Sequence, residues 1–447
     1  MNAGTCRRGR GGVRAGAAAA IVIAATAHAE PRFMRREDPV VVAGASLPAL
    51  LGTNLAALAL MSARNGVLAP VPFQIDRKDA EGRPLLEWVR ARVRDPWARN
   101  PGLAAHPALE EQDEAVFLAR DLGARVPRAR WPAPAGIEIE ARDPVDGARA
   151  WAYLLAFPAA PPACATDYIS FDPRQCLVRS ADLCYGRRDP DHPAVFNYLA
   201  LGDAPDAPNL LERFRLQVDA STFFDRMHIR RDENDVQTRL LGYTDGPVRV
   251  LVRQLSTLEL LAWIHSEWVD RLTVNYPGRI EIPTTARVPF RPGRILSAAS
   301  IEAKLALTDA VAGARLVHPA LSGPRNVSRE MTPVTDTASS NRPQWCALSG
   351  SWGGLVAVLH DDPRLLAAGL PRQFDFRGLP CGGAPEENPP GAYAQLEMRA
   401  SGMEKMGAGT YHFSFVIYGR RDFQPGDEQQ LLRIDAQPLE ISTGAGP

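Results

Sequence analysis

The chain has 447 residues, with 51 basic and 51 acidic side chains and 45% hydrophobic residues. Balanced charge excludes a broad basic surface of the kind that grips a nucleic-acid backbone. The length and apolar content suffice for a core that needs no disulfide support.

Arg7, Arg8, Arg10 and Arg14 open the sequence, and the first acid is Glu30. A short apolar run follows at 17–25, and then Ala27-His28-Ala29. A basic stretch, an apolar stretch and an A-x-A site form the order of a signal peptide cut after Ala29, residues 1–29. The run is shorter than the roughly 20 residues that a spanning helix needs. Arg7-Arg8 raises the twin-arginine route, but the residues after the pair fit ordinary secretion better. The expected destination is the periplasm or the cell exterior. Cleavage leaves 418 residues with a net charge of −4. The cations are arginines apart from Lys78, Lys304 and Lys405.

Residues 30–157 read as an N-terminal β region. The apolar stretch 40–63 is long enough to cross a membrane, but Gly44, Pro48, Gly52 and Asn54 break it. It reads as two buried segments and a turn, so no stable span is expected once the leader is gone. Asn65-Gly66 between segments 57–62 and 71–75 predicts a hairpin. A second hairpin is predicted from 137–141 through the turn 143–147 to 150–157. Residues 158–212 hold three cysteines and many prolines and read as an insertion or loop. Residues 213–318 form a central β region, in which Val248, Val250 and Val252 alternate with Arg249, Leu251 and Arg253. Residues 319–343, rich in Pro, Ser, Thr and Asn, read as a linker or long loop.

Residues 344–447 form a C-terminal β region. In its strand 411–418, Tyr411, Phe413, Phe415 and Ile417 share one face, which is expected to be core. His412, Ser414, Val416 and Tyr418 share the other. No repeat of 20–50 residues is evident. The fold class predicted is mainly β, an antiparallel β-sandwich or supersandwich, as one large unit or two sandwich units.

Cys6 leaves with the leader, and Cys164, Cys176, Cys184, Cys346 and Cys381 remain. Export permits disulfides, and an odd count leaves one thiol unpaired within the chain. Cys346 and Cys381, each near the edge of a C-terminal element, are expected to pair, with about 3–4 kcal/mol from loop closure. Pairing among the other three stays open. No C-x-x-C or C-x-x-C-H occurs, so zinc ribbons and c-type haem are unsupported.

Val71-Pro72-Phe73-Gln74-Ile75-Asp76 is followed by the stretch Gln112-Asp113-Glu114-Ala115-Val116-Phe117-Leu118-Ala119-Arg120-Asp121-Leu122-Gly123. Later comes Asp245-Gly246-Pro247-Val248-Arg249-Val250. This combination resembles a signature of exported bacterial β-rich proteins, PFQID…DExVFxAxDxG. Some of those are similar to galactose-mutarotase-like supersandwich proteins. The resemblance covers about a quarter of the chain and implies a fold, with no catalytic residue to carry over.

Two constellations are candidates for chemistry. Asp76, Asp79, Asp113, Glu114 and Asp121 could gather oxygens around calcium, which takes six to eight. The alternative is that they cap strand ends and pair with Arg77, Arg120 or Arg125, and the spacing of a calcium loop is missing. No other cofactor is expected. On a strand 261–267, Trp263, His265 and Glu267 would share one face, with Ala262, Ile264 and Trp268 buried on the other. If this strand pairs with the one bearing Arg249 and Arg253, one surface would offer a sugar a ring to stack on and charges to meet its hydroxyls. His265 and Glu267 would then be acid and base. The alternative is a solvated face with cross-strand ion pairs. The partner expected is a glycan, or an envelope protein if the molecule is a non-catalytic assembly component. No H-E-x-x-H, G-x-S-x-G or Walker sequence is present.

Overall fold

The computed structural model describes residues 35–88, 107–187, 196–222, 227–261, 264–337, 342–382 and 389–446, with backbone alone at 88, 260–261 and 264–265. The expected leader lies outside the described residues. Among those described, the strands form five antiparallel sheets, of three, four, five, six and eleven strands. No described helix is long and apolar enough to cross a membrane.

The smaller sandwich packs the three-stranded sheet (Pro39–Ala43, Glu114–Leu118, Gln74–Asp76) on the five-stranded sheet. The latter runs in the order Glu440–Gly444, Ala135–Arg142, Arg149–Ala156, Leu58–Arg64, Val67–Pro70. Alternation sends Val40, Val42 and Phe117 from one sheet, and Leu60, Ile139 and Leu154 from the other, into a shared core. The stretch 40–63 is two strands joined by short 3-10 turns, as its Gly and Pro breaks predict.

Asn65 and Gly66 do turn a hairpin, both with positive φ, as a two-residue loop of the mirror-image type requires. The return strand is Val67–Pro70, however, with Arg64 opposite Val67. A two-residue turn pairs its immediate neighbours, so the expected return at 71–75 starts too late. Its last residues belong to Gln74–Asp76 of the other sheet.

The larger sandwich packs the six-stranded sheet on the eleven-stranded one. The six-stranded order is Met227–Asp232, Leu211–Thr222, Leu296–Leu307, Ala394–Ser401, Arg372–Gly378, Val334–Thr337. Phe374, Phe376, Leu396 and Leu307 meet Leu348, Leu355, Ile417 and Ile280 in its core. Residues 158–212 contain a four-stranded sheet, Ile169–Asp172 to Tyr198–Ala200, which packs Phe171 and Val178 on Val250 and Val252.

Helix Asp427–Ala436 covers the outer face of the large sheet and buries Leu431 and Ile434 against Val356, Val358, Val416 and Tyr418. Strand Gly409–Arg420 is therefore buried on both sides from Phe415 to Tyr418, whereas Phe413, expected in the core, is 36% exposed. The chain then returns to the small sandwich as Glu440–Gly444, paired with Ala135–Arg142.

Candidate functional site

The three motif stretches meet at one place, the junction of the two sandwiches. Gln74 Oε1 accepts the backbone N–H groups of Val248 (3.1 Å) and Arg249 (2.8 Å), and Gln74 Nε2 donates to Asp76 at 2.7 Å. Gly246 is necessary here, because the Gln74 amide occupies the space that a Cβ would take. The Arg249 guanidinium, 6% exposed, reaches Asp76, Glu114 (2.6 Å) and the Tyr276 hydroxyl (3.0 Å). Burial works against the Glu114 charge, but hydrogen bonds from Lys78 and Arg249 outweigh it and hold the carboxyl below its ordinary value. These residues join two domains through fully used ion pairs.

The expected calcium set is therefore corrected. Asp76 and Glu114 hold Arg249. Asp79 pairs with Arg83 at 2.7 Å. Asp113 accepts the backbone N–H groups of Glu110 (2.8 Å) and Lys78 (3.1 Å). Asp121 takes the Tyr168 hydroxyl (2.9 Å) and Arg64 (3.2 Å). Among the described residues no three His, Cys, Asp or Glu side chains gather to hold a metal ion.

Of the expected sugar-binding face, the described strand positions hold Arg249 far from His265. Strand Val250–Leu261 is followed by a short return, Ile264–His265, with His265 opposite Glu259. Ten residues of strand separate Glu259 from Arg249, about 33 Å at 3.3 Å per residue. Arg249 is buried at the junction, and Arg253 is paired with Asp270 at 2.5 Å. Trp263 and the His265 side chain lie outside the described residues. Glu267 is exposed beyond the strand end. Trp268, expected in the core, is 40% exposed and lies under the Arg239 guanidinium, 5.1 Å from its ring.

The cysteine pairing is corrected too. Cys346 and Cys381 are both free thiols. Strand alternation points Cys346 into the core between the large sheets, whereas Cys381 sits in an exposed turn. Cys164, Cys176 and Cys184 are free as well.

The outer face of the six-stranded sheet carries a different constellation. Two adjacent antiparallel strands repeat one pattern: Gln373-Phe374-Asp375-Phe376-Arg377 and Gln395-Leu396-Glu397-Met398-Arg399. The apolar members face the core, so the polar members lie on the opposite face, where Gln373, Asp375 and Arg377 are half-buried and Gln395 (0% exposed) and Glu397 (3%) are buried. Antiparallel register places Asp375 opposite Glu397, with Gln373 opposite Arg399 and Arg377 opposite Gln395. Two carboxyls thus stand at the centre of a pseudo-twofold arrangement, an arginine and a glutamine on each side.

The next strand adds Lys304 opposite Glu397 and Glu302 opposite Arg399. Arg399 reaches Glu397 at 2.8 Å and Glu302 at 2.5 Å, and Lys304 reaches Glu302 at 2.7 Å. Gln395 Nε2 donates to Glu397 at 2.9 Å. Burial first, and then the facing Glu397 charge, push the Asp375 carboxyl up, while Thr335 and the two arginines offset part of the rise. Asp375 Oδ1 and Gln395 Oε1 are buried acceptors without a hydrogen-bond partner. The repeated Gln-x-acid-x-Arg pentad was visible in the sequence. That its two copies are neighbours was not.

A second polar cluster lies under helix Asp427–Ala436. Asp435 accepts from Tyr418 (3.0 Å) and pairs with His360 (2.9 Å), and Arg279 stacks over the Tyr418 ring at 5.2 Å. A cavity of about 20 Å³ adjoins it, lined by Arg35, Asp38, Arg279 and Tyr418 among others. That volume holds a water molecule or two and no sugar ring. The cluster fastens the helix to the sheet.

No protein-family model matches the chain, and no curated protein matches it. Among solved structures the chain is similar to an α-mannosidase from Enterococcus faecalis V583, with a TM-score of 0.44 at 10% identity over 88% of this chain and 41% of that one. It is similar also to a protein in the glycosyl hydrolase family 38 from Enterococcus faecalis, with a TM-score of 0.42 at 8% identity over 87% of this chain and 42% of that one. A third likeness is to a protein described as an aldose 1-epimerase from Klebsiella pneumoniae subsp. pneumoniae, with a TM-score of 0.32 at 9% identity over 60% of this chain and 80% of that one. The chain spans about two fifths of the length of the first two.

Proposed function

We propose that this exported β-sandwich protein engages carbohydrate on the outer face of its six-stranded sheet, with Asp375 and Glu397 as an acid/base pair. The observation that carries the reading is the mirrored pentad, in which one buried Asp375 oxygen lacks a donor while its neighbours are ion-paired. A sugar presents many hydroxyls, each both donor and acceptor. Planar carboxylate, guanidinium and amide groups meet adjacent hydroxyls with paired hydrogen bonds. A ligand hydroxyl donating to Asp375 Oδ1 fills the vacant bond. Burial and the facing Glu397 charge push the Asp375 carboxyl up, which makes Asp375 the member of the pair better suited to carry a proton. Export rests on the basic, apolar and A-x-A order of residues 1–29.

The test is a glycan array followed by calorimetry on the wild type, Asp375→Asn and Glu397→Gln. Binding of defined glycans that weakens at least tenfold in both variants supports the reading. Absence of any bound glycan, or equal affinity in all three proteins, removes it.

A further inference from the structure

Seven large apolar side chains are exposed among the described residues. Two of them, Val67 and Val145, sit in hairpin turns of the small sandwich. The other five gather at one end of the large sandwich. Strand pairing fixes this: Val288 is opposite Gly409, Thr285 is opposite Asp270, and Thr222 lies between Leu296 and Met227. Met227 begins a strand at this end, and Trp268 and Ile295 each precede one. Phe290 follows a strand by two residues, and Phe413 is the fifth residue of one. Single exposed apolar side chains are ordinary, whereas a cluster of them marks a contact surface.

Loop 289–295 carries the most exposed pair of this group, Phe290 (45%) and Ile295 (43%). It crosses from the eleven-stranded sheet to the six-stranded sheet. Its form is fixed. Pro289 and Pro292 restrict the backbone. Arg294 N donates to Arg291 O at 3.1 Å, and Ile295 N donates to Pro292 O at 2.9 Å. The loop also packs closely on the turn Met403–Lys405, since a Cβ at Gly293 would stand 2.6 Å from the Glu404 carbonyl oxygen. A rigid loop thus holds two apolar side chains in water, against the hydrophobic effect.

The charge around them is positive. Arg287, Arg291 and Arg294 are exposed and form no ion pair with a described residue. Lys405 is exposed on the adjoining turn. The acids at this end are fewer or engaged. Glu404 accepts the backbone N–H of Ala299 at 3.0 Å, and Asp270 and Asp362 hold Arg253 and Arg364. Glu267 adjoins Trp268, whose ring carries the Arg239 guanidinium, and Glu259 lies on the next strand. The chain as a whole has balanced charge, so the excess belongs to this end.

We propose that this end of the large sandwich docks on a lipid bilayer that carries anionic headgroups. Phe290 and Ile295 enter the boundary between headgroups and acyl chains, and Arg287, Arg291 and Arg294 meet the headgroup phosphates. Apolar burial and attraction to anionic lipid act together in such docking. An anionic polymer would satisfy the arginines and leave Phe290 and Ile295 in water. A bilayer satisfies both.

The experiment is vesicle co-sedimentation with the mature protein, residues 30–447. One set of vesicles is phosphatidylcholine alone, and the other is equimolar phosphatidylcholine and phosphatidylglycerol. The wild type should bind the anionic vesicles at least about tenfold more tightly than the neutral ones. Phe290→Ser with Ile295→Ser, and separately Arg291→Gln with Arg294→Gln, should each weaken that binding about tenfold or more. Val67→Ser, which removes an equally exposed side chain from the small sandwich, should leave it unchanged. Thermal melts confirm that the variants fold, as their changed side chains are exposed. No binding to either vesicle, or unchanged binding in the Phe290→Ser/Ile295→Ser protein, would overturn the proposal. So would a dimer in sedimentation velocity that the same double variant dissociates, because the patch would then serve a second copy of the chain.

Discussion

Gln74 takes the backbone N–H of Arg249 on its side-chain oxygen at 2.8 Å, while Asp76, two residues on, takes the guanidinium of the same arginine. One short strand of the small sandwich thus reads both the main chain and the side chain of a residue that opens a strand of the large sheet. Three stretches far apart in sequence close one joint, in which Gln74, Asp76, Glu114 and Arg249 are engaged with one another. Arg249→Ala leaves Asp76 buried and both carboxylates without their shared cation. The expected loss is about 3–5 kcal/mol of unfolding free energy, the range for breaking a buried ion pair. Urea denaturation measures it, and a loss below about 1 kcal/mol would contradict the joint as described.

Asp38 supplies a pH-dependent term at the same junction. Burial pushes its carboxyl up to about 6. Arg35 cannot fully counter this, because its guanidinium is shared among Asp38, Asp143 and the carbonyls of Gln437 and Ile434. The folded value lies above the unfolded one, so the fold favours the protonated acid. Stability from this residue is fully present below about pH 4 and falls as pH rises to 6. Above pH 6 the loss levels off at roughly 3 kcal/mol. Asp38→Asn cannot ionise, so its stability relative to wild type should climb between pH 4 and 6 and then stay flat. Urea midpoints at several pH values test this, and a pH-independent difference refutes it.

Much of the architecture was legible because alternation is a local property. Phe374, Phe376 and Leu396 could be assigned to a core face without knowing any partner. Partners are not local. Alternation placed Arg249 on a face, but whether that face meets water or Asp76 depends on a residue 173 positions away. Helix Asp427–Ala436 escaped notice because it is short and buries few apolar side chains, Leu431 and Ile434 chief among them. Its position makes core of Val416 and Tyr418, on the face opposite the one expected to be core. Trp268 failed the other way: the strand ended before it, so alternation no longer applied. The Gln-x-acid-x-Arg pentads were readable as letters, but their significance lies in a register that only pairing creates.

The thiols give a direct check on the corrected cysteine chemistry. Burial pushes the Cys346 thiol up to about 12, and burial with the nearby Asp203 charge pushes Cys184 up to about 11. Both should resist alkylation in the native protein, roughly 100-fold or more slower than the exposed Cys381. In urea without reductant, Cys346 and Cys381 should both react completely. Mass spectrometry of the alkylated peptides reads the outcome. A Cys346 peptide still joined to the Cys381 peptide would reinstate the disulfide.

The facing pair Asp375 and Glu397 offers a way to separate a working site from a structural ladder. Like charges directly opposite on neighbouring strands destabilise a sheet, by about 0.2–1 kcal/mol. If the pair existed only to hold strands together, replacing one member would weaken the fold. If it is kept for a ligand, Asp375→Asn should raise stability at pH 8, because it removes a charge that burial and Glu397 both oppose. The gain should shrink toward pH 3, where the wild-type carboxyl is protonated and resembles the amide. Arg399→Met should do the reverse and destabilise, since it strips Glu397 and Glu302 of a shared partner. Paired urea titrations at pH 8 and pH 3 distinguish the two cases, and a destabilised Asp375→Asn protein at pH 8 would assign these carboxyls to the scaffold.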